Sequence, residues 1–319
     1  MGARTKIEWA HHTFNPWTGC ARVSPGCERC YAETRSRQFP TTLGAWGPSA
    51  ERRITSEAYW HQPYRWDAAA EAAGERHRVF CASMADVFED RPELIEPRRQ
   101  LWTLMAETPH LDWLVLTKRP EVAHRLVPGL VDTDPSDFPG ENPLPNVWLG
   151  VSVEDQRRAD ERVPLLLDTP AAVRFLSCEP LLGPVDLTNI SAAVGPPPTE
   201  QWDVLDREEA ADAALEGGYG HIIDWVIVGG ESGPRARPMD IAWARSLVEQ
   251  CATAGVPAFV KQLGSRPAAA RVDLTEWPTA VVRAAGDGYG SIALRDPKGG
   301  DPDEWPADLR VRQFPGGAS

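Results

Sequence analysis

Three cysteines, Cys20, Cys27 and Cys30, lie within eleven residues near the start of this 319-residue chain, in the stretch WTGCARVSPGCERCYAE. Their spacing, C-x6-C-x2-C, supplies three thiolates and no evident fourth ligand. A structural zinc site has four protein ligands, whereas a [4Fe–4S] cluster held by three cysteines leaves one iron open to a small molecule. The number of ligands therefore favours a reactive centre over a structural one.

The number of cysteines and the hydropathy of the chain limit the classes of protein to which it can belong. Six cysteines are too few for a disulfide scaffold in a chain of this length, and a cluster in a reducing compartment indicates metal binding. Cys81, Cys178 and Cys251 are scattered, as is typical of small buried residues. No apolar run approaches the roughly 20 residues that cross a bilayer, and the first residues lack the apolar core of a secretory signal. We therefore expect a cytoplasmic protein without membrane contact.

The charge is uneven along the chain. A net charge of −13 argues against unspecific nucleic-acid binding over the whole surface. Residues 1–66, however, carry nine Lys or Arg against five Glu, a net +4 that leaves −17 for the other residues. This basic segment is either a solvated face or the mouth of an anion-binding site.

From residue 78 onward, short apolar runs alternate with longer amphipathic ones, which predicts strands that alternate with helices. The predicted strands are 79–84, 112–117, 146–153, 172–178, 224–230 and 256–262, and the predicted helices are 92–107, 120–127, 155–167 and 241–254. The strands do not alternate in polarity, as expected of parallel strands buried on both faces. A further strand, KIEW (6–9), precedes the cysteines, and a helix at 30–39 follows them.

These elements predict an α/β fold, a partial TIM-like parallel (β/α)6 barrel with the cysteine-bearing loop after its first strand. The predicted barrel domain covers residues 1–264, with a surface insertion at about 188–221 and a loop at 129–146. Residues 265–319 are predicted to form a C-terminal capping segment.

Polar side chains follow the ends of most of these strands. They are Ser83, Asp86, Thr117, Lys118, Arg119, Ser152, Glu154, Glu179, Glu231, Ser232, Arg235, Lys261 and Gln262. Because the carboxyl ends of parallel strands meet at one edge of a sheet, we expect a site there. Loops after strands are polar in any case, which explains part of the set.

Several strings of the sequence carry a family resemblance. EWAHHTFNPWTGCARVSPGCERCYAE, LTKRP, LGVSVE, SCEPLLGPV, IVGGESG, VKQLG and DEWPADLRVRQFP span nearly the whole chain. They resemble the phage-associated three-Cys-motif protein family, long a domain of unknown function. Three cysteines after the first strand of a parallel barrel also resemble the radical S-adenosylmethionine superfamily, although the usual first gap there is three residues instead of six. That resemblance implies reductive cleavage of S-adenosylmethionine to a 5′-deoxyadenosyl radical.

The resemblance also implies roles for individual residues. Cys20, Cys27 and Cys30 would hold a [4Fe–4S] cluster. The predicted residues for binding S-adenosylmethionine or other anionic groups are Ser83, Asp86, Lys118, Ser152, Glu154, Glu231 and Arg235, with Gly229 and Gly230 in the same pocket. Cys178 and Glu179 are the predicted catalytic pair, with Cys178 either a hydrogen-atom donor or a small buried cysteine.

The implied activity is modification or repair of a nucleic acid or nucleotide, with an electron donor such as flavodoxin or ferredoxin and a possible separate partner protein. One alternative is a zinc-stabilised binding module in which His11 or His12 completes a Cys3His site. Another is a barrel that keeps its cluster for structure only. The sequence contains neither a G-x-S-x-G nucleophile elbow nor a P-loop string, which leaves serine hydrolysis and nucleoside triphosphate hydrolysis without support.

Overall fold

The computed structural model describes residues 5, 7–131, 143–191, 201–208, 222–270, 275, 277, 281–284 and 290–317. Within them, the central feature is a sheet of seven strands: β1 (His12–Phe14), β2 (His77–Cys81), β3 (Leu111–Thr117), β4 (Val147–Ser152), β5 (Val173–Cys178), β6 (Trp225–Gly229) and β7 (Ala258–Gln262). The strands lie in the order of the chain.

The pairing identifies the type of α/β fold. β1–β2, β2–β3, β3–β4, β5–β6 and β6–β7 all pair in parallel. A doubly wound sheet reverses its strand order at a switch point, whereas this order never reverses. The sheet is therefore singly wound, as in a TIM-like barrel. The predicted α/β class and partial-barrel topology are confirmed, with seven strands instead of six.

Six helices of eight or more residues occur in the described part of the chain. They are α1 (Tyr31–Gln38), α2 (Gln62–Ala73), α3 (Ile95–Ala106), α4 (Pro120–Val131), α5 (Gln156–Leu167) and α6 (Ile241–Ala254). Helices follow β1 to β4 and β6, as right-handed parallel crossovers require. No helix in the described part is long and apolar enough to span a membrane.

The chain divides into two compact units. The first comprises Met1–Val151 and Asp168–Arg174, and the second comprises Ser152–Leu167 and Phe175–Ser319. Phe14 and Trp113 meet edge-to-face in the core of the first unit, with ring centroids 5.6 Å apart. In the second unit, Trp225 and Phe259 form a similar pair at 6.2 Å. All four rings are buried, and such pairs stabilise a core beyond their buried area.

Smaller elements complete the two units. In the first, Trp17–Thr18 pairs with Arg53–Ile54, and single helical turns occur at Pro25–Cys27, Pro40–Leu43, Glu57–Trp60 and Pro92–Leu94. In the second, Ile190–Ser191 pairs with Gln201–Trp202, and Met239–Asp240, Pro267–Ala269, Gly290–Ala293 and Val281–Ala284 form a four-stranded sheet. Single 3-10 turns at Pro302–Glu304, Ala307–Leu309 and Pro315–Gly317 follow.

The first strand differs from its prediction. Residues 8–9 form a turn, and β1 begins at His12, so a strand at 6–9 was wrong. Trp9 is buried against Phe80 of β2, with ring centroids 4.7 Å apart. Its apolar character therefore reflects packing on the sheet and not membership of it. Of the predicted insertion and loop, residues 192–200, 209–221 and 132–142 lie outside the described residues.

Candidate functional site

The cysteine loop begins where β1 ends, and its first turn is fixed by Gly19. Gly19 has a φ of +105°, a backbone conformation that residues with a Cβ rarely adopt. Its N–H donates to the carbonyl of Met84, 3.0 Å away, just beyond β2. A Cβ at this position would also lie 3.1 Å from the Cδ of Arg52. The loop therefore leaves β1 along the carboxyl-end extension of β2, which places Cys20 at that edge of the sheet.

Cys20 is in contact with Arg119, which follows β3. Nη1 of Arg119 lies 3.5 Å from the Sγ of Cys20, and Nη2 donates to the carbonyl of Ala21 at 2.8 Å. Burial and the charge of Asp86 raise the pKa of the Cys20 thiol to about 12, although Arg119 opposes this shift. The lone thiol is therefore neutral at physiological pH, and a bound metal would have to displace its proton.

Asp86 holds Arg119 in place. One carboxylate oxygen accepts from the hydroxyl of Thr117 at 2.7 Å and from the amide of Phe88 at 2.9 Å. The other accepts from Nη1 of Arg119 at 2.8 Å and from the amide of Lys118 at 3.1 Å. With four donors, Asp86 joins the end of β2 to the end of β3. Its observed role is to position Arg119, and binding of a cofactor by Asp86 stays a prediction.

A second buried ion pair supports the same edge. Arg52 donates to both carboxylate oxygens of Glu89, at 2.5 and 2.6 Å, and both side chains are buried. Arg119 lies 3.7 Å from the same carboxylate. Bidentate pairing of this kind fixes the orientation of both groups. The loop that carries Arg52 is thereby joined to the segment that follows β2.

Cys27 and Cys30 lie on the other half of the loop. Cys27 ends the 3-10 turn Pro25–Cys27, and its Sγ lies 3.8 Å from the hydroxyl oxygen of Ser24. Cys30 is the N-cap of α1. Burial raises the pKa of the Cys30 thiol, whereas backbone N–H groups of Glu33 and Ala32 and the charge of Lys118 lower it. The first turn of α1 thus offers hydrogen bonds to a thiolate at Cys30.

The chemistry of the donor set fits a metal or an iron–sulfur cluster. All three cysteines are reduced and partly exposed, and hydrogen-bond donors lie beside Cys20 and Cys30. Within the described residues, however, no three His, Cys, Asp or Glu side chains are arranged to hold a metal ion. Binding at Cys20, Cys27 and Cys30 would therefore require the loop to close, and this ligand set stays a prediction.

His11 and His12 lie in a separate cluster of rings. Nδ1 of His11 accepts from the amide of Arg78 at 2.8 Å, and its ring stacks on that of His77, with centroids 4.9 Å apart. The ring of His12 stacks on Trp66 at 4.4 Å, and its Nε2 lies 3.2 Å from Nδ1 of His77. In the described structure, neither histidine joins the cysteines in a group of three metal-ligand side chains. The Cys3His alternative has no support in this geometry.

Ser83 lies close to the cysteine loop through Asn15. The hydroxyl of Ser83 lies 3.2 Å from Nδ2 of Asn15, whose Oδ1 accepts from the amide of Met84 at 2.7 Å. Ser83 is partly exposed. Ser83 and Asp86 follow β2 and Lys118 follows β3 in the first unit, and their role in a common site stays a prediction.

In the second unit, Glu179 lies beside Lys261 and Gln262. The ammonium of Lys261 is 2.6 Å from the carboxylate of Glu179, and the side-chain amide of Gln262 is 3.2 Å from it. Glu179 and Lys261 are 19% and 24% exposed at their side chains, so solvent reaches this pair. These residues follow β5 and form the end of β7, which makes them the second unit's polar strand-end cluster.

The other predicted residues of the second unit are engaged in structural contacts. Glu154 is completely buried and accepts from Arg162 at 2.7 Å, and the same guanidinium donates to the carbonyl of Ser152 at 2.6 Å. Cys178 is also completely buried. Burial raises its pKa, and the nearby Cys251 and Glu154 raise it further. The small-buried-cysteine alternative for Cys178 agrees with this placement.

Glu231 is paired with Arg237 in the second unit. Its two oxygens accept from Nη2 and Nε of Arg237 at 2.6 and 3.1 Å, and from the amide of Arg237 at 2.8 Å. Arg235 is exposed. A role for Arg235 in anion binding stays a prediction.

A family model for proteins of unknown function, DUF5131, matches residues 4–287. The chain belongs to this family. Among curated proteins, none matches this DUF5131 protein. Among solved structures, a cysteine-to-serine variant of spore photoproduct lyase has a TM-score of 0.40 and 16% identity, over 93% of this chain and 72% of that one. The lyase complexed with dinucleoside spore photoproduct has a TM-score of 0.38 and 14% identity, over 92% and 73%. At these TM-scores, the similarity assigns no function.

Sequence reasoning on this DUF5131 protein missed the partners of its acidic residues. Arg52 pairs with Glu89 and Arg162 pairs with Glu154 in buried contacts, whereas Arg237 is partly exposed in its pair with Glu231. Arg52, Glu89, Arg162 and Arg237 were not predicted as site residues. Arg162, on α5, comes eight residues after Glu154, and Arg237 comes six residues after Glu231. Because both pairs are close in the sequence, local spacing could have suggested them. Arg52 and Glu89 are 37 residues apart, and no local pattern signals their contact.

Proposed function

We propose that this DUF5131 protein is a radical S-adenosylmethionine-type iron–sulfur enzyme that acts on a nucleic acid or nucleotide. The observation that carries the proposal is the position of the three-cysteine loop. It leaves the first strand of a singly wound parallel sheet, and Asp86 and Arg119 join it to the ends of the next two strands. This edge is where α/β enzymes build their sites.

In this proposal, Cys20, Cys27 and Cys30 hold a [4Fe–4S] cluster. When bound, the cluster would supply the electron that cleaves S-adenosylmethionine at an open iron. Arg119 holds the loop through the carbonyl of Ala21 and donates to the sulfur of Cys20. Hydrogen bonds to ligand sulfurs help set the reduction potential of such centres.

One cation of the first unit, Lys118, suits an anionic cosubstrate. The charge of Lys118 acts on the Cys30 thiol, so its ammonium lies near that half of the loop. An ammonium there attracts a carboxylate as a point charge, whereas Arg119 is already committed to Asp86. Ser83, partly exposed beside Asn15, adds a hydroxyl that can donate or accept a hydrogen bond.

The second unit has a polar strand-end pair of its own, Glu179 and Lys261. A carboxylate and an ammonium 2.6 Å apart, both partly exposed, can exchange their mutual contact for contacts with a polar substrate. Gln262 contacts Glu179 from one side and donates to the carbonyl of Gly230 at 2.9 Å, which orients the carboxylate.

Anaerobic reconstitution of the full chain with iron and sulfide tests the proposal. We expect about four irons per chain, an electron-spin resonance signal that changes on addition of S-adenosylmethionine, and release of 5′-deoxyadenosine with dithionite. Separate Cys20→Ala, Cys27→Ala and Cys30→Ala variants should lose the iron, whereas Cys251→Ala, which changes a buried cysteine of α6, should keep it. A purified protein with one tightly bound zinc and no capacity for iron, or a cluster indifferent to S-adenosylmethionine, would refute the proposal.

A further inference from the structure

One face of α1 exposes two aromatic rings and an arginine at a spacing of four residues. Tyr31 and Arg35 lie on the same side of α1 because residues four apart are neighbours on a helical surface. Phe39, the residue that caps the C-terminus of α1, follows at the same spacing, and its amide donates to the carbonyl of Arg35 at 2.9 Å. Tyr31 is 65% exposed and Phe39 is 46% exposed, and Arg35 is exposed between them. Other positions of α1 bury Ala32, Glu33 and Ser36. The helix therefore packs through these residues and presents Tyr31 and Arg35 to solvent.

The exposed apolar side chains are concentrated in the part of the sequence that contains α1. Six large hydrophobic residues are exposed among the described residues, and four of them lie within residues 20–54: Val23, Tyr31, Phe39 and Ile54. Single exposed apolar residues are ordinary on protein surfaces, but a cluster indicates an interaction site. The segment 20–54 is continuous in space, since the hairpin that carries Arg53 contacts the carbonyl of Thr42, which follows α1.

The same segment is locally positive. Residues 20–54 contain six arginines and three glutamates, a net +3 that leaves −16 for the other residues. Arg52 is buried against Glu89, and Glu33 is buried against Arg22 and Arg37, whereas Glu28 and Glu51 are exposed. Five arginines are exposed: Arg22, Arg29, Arg35, Arg37 and Arg53. A polyanion is repelled by most of this acidic protein and attracted here.

The contact between an aromatic ring and a guanidinium group indicates which class of polyanion this surface would bind. The guanidinium carbon of Arg35 lies 4.7 Å from the centroid of the Phe39 ring, so a cation and a flat apolar surface are presented together. Aromatic faces beside a basic surface bind single-stranded nucleic acids, because every base can stack on a ring while its phosphates meet arginines. Bases inside a duplex cannot reach such rings.

We infer that the exposed face of α1, defined by Tyr31, Arg35 and Phe39, binds single-stranded nucleic acid. Along the helix, eight residues separate the two rings, a distance of about 12 Å at 1.5 Å per residue. That distance corresponds to about three or four stacked nucleotides at 3.4 Å each. Since Tyr31 directly follows Cys30, a strand on this face runs beside the cysteine loop. The inference deepens the nucleic-acid part of the proposed function, but it is independent of any cluster.

Fluorescence anisotropy with a labelled 12-nucleotide oligothymidine tests the inference on the full chain as purified. Stacking on an aromatic ring contributes about 1–3 kcal/mol per base, and 1.4 kcal/mol is a tenfold change in affinity. We expect Tyr31→Ala and Phe39→Ala to weaken binding roughly tenfold or more each, and Tyr31→Phe to retain it. Arg35→Gln should reduce the salt dependence of the affinity. The matched control is Tyr64→Ala, which removes another exposed tyrosine, on α2.

Three results would overturn the inference. They are equal affinity for oligothymidine and for a duplex of the same length, unchanged affinity in the Tyr31→Ala Phe39→Ala double variant, and no binding by the parent protein. A concentration-dependent dimer that this double variant abolishes would instead assign the face to a second copy of the chain. A parent protein that cleaves S-adenosylmethionine but does not bind the oligonucleotide contradicts only this inference, and one that binds the oligonucleotide but does not cleave S-adenosylmethionine contradicts only the cluster chemistry.

Discussion

The guanidinium group of Arg119 lies 3.5 Å from the sulfur of Cys20 and, through the same nitrogen, 2.8 Å from the carboxylate of Asp86. A single buried side chain thus connects the cysteine loop to the ends of β2 and β3. The loop has little regular structure of its own, with one 3-10 turn before α1. Arg119 is therefore the contact on which the position of Cys20 most directly depends.

We predict that Arg119→Ala lowers the free energy of unfolding by about 3 kcal/mol, because removing one partner of a buried ion pair leaves an uncompensated charge. Urea unfolding followed by circular dichroism measures this value. Arg125→Ala is the matched control, since Arg125 pairs with Asp90 in the same unit but both side chains are more than half exposed. A surface pair of this kind contributes below about 1 kcal/mol. Equal losses in the two variants would contradict the assigned role of Arg119.

Alkylation should distinguish the three cysteines of the loop from the three buried cysteines. We expect iodoacetamide to label Cys20, Cys27 and Cys30 in native metal-free protein, whereas Cys81, Cys178 and Cys251 react only after unfolding, because they are buried. Of the loop cysteines, Cys20 should react more slowly than free cysteine at pH 8, since its pKa of about 12 keeps it protonated. Peptide mass spectrometry measures each site.

Metal loading provides the second half of that experiment. If the three loop cysteines are ligands, iron loading should protect all of them together and leave the buried ones unchanged. Protection of only one or two loop cysteines would contradict the three-ligand site.

The sequence predicted the sheet because its strands are continuous apolar runs, and five of the six runs lie within two residues of the observed strands. The sixth, at 79–84, extends three residues beyond β2, where a polar loop begins. α2 escaped prediction because it buries only Pro63 and Ala70, so it lacks an apolar period. The predicted strand ends gave the position of Glu179 in the fold. They did not indicate that Lys261 contacts it, because the two residues are 82 apart in the sequence.

Gly229 and Gly230 show another contact that the sequence pattern could not identify. These glycines were predicted to open a pocket for a cofactor, which stays a prediction. The structure shows a packing reason for Gly230, since a Cβ there would lie 2.4 Å from the carbonyl oxygen of Leu263. Sequence can mark a close approach of the backbone, but it does not say whether a ligand or another strand makes that approach.

We therefore predict that Gly230→Ala destabilises the protein by about 1–3 kcal/mol, since the backbone of Leu263 must shift to admit a methyl group. Gly129→Ala is the control, because Gly129 is exposed on α4 and no atom of the described residues would lie within 4 Å of an added Cβ. That substitution should stabilise the helix by about 0.5–1 kcal/mol. Thermal unfolding of both variants measures the contrast, and a neutral Gly230→Ala would show that the close approach relaxes without cost.

The buried carboxyl group of Glu304, in the C-terminal segment, predicts how the stability of the protein depends on pH. It is completely buried, and burial opposes its ionisation. The amides of Arg295 and Asp296, at 2.7 and 2.8 Å, and the guanidinium of Arg295 nevertheless hold its pKa below the ordinary value. A carboxyl group with a depressed pKa stabilises the fold above its ordinary value, about 4.3, and loses that contribution as the pH falls through the folded-state value.

We expect Glu304→Gln to lower the free energy of unfolding by about 1–3 kcal/mol at pH 7, the usual contribution of hydrogen bonds to a charged group. The difference from the parent protein should shrink as the pH falls below about 4, because the parent carboxylate is then protonated as well. Urea unfolding across pH 3 to 7 measures both values. Glu71→Gln, at an exposed position of α2, should show a small effect at every pH. If the loss of unfolding free energy in Glu304→Gln stays constant from pH 7 to pH 3, Glu304 stabilises the fold through its packing and not through its charge.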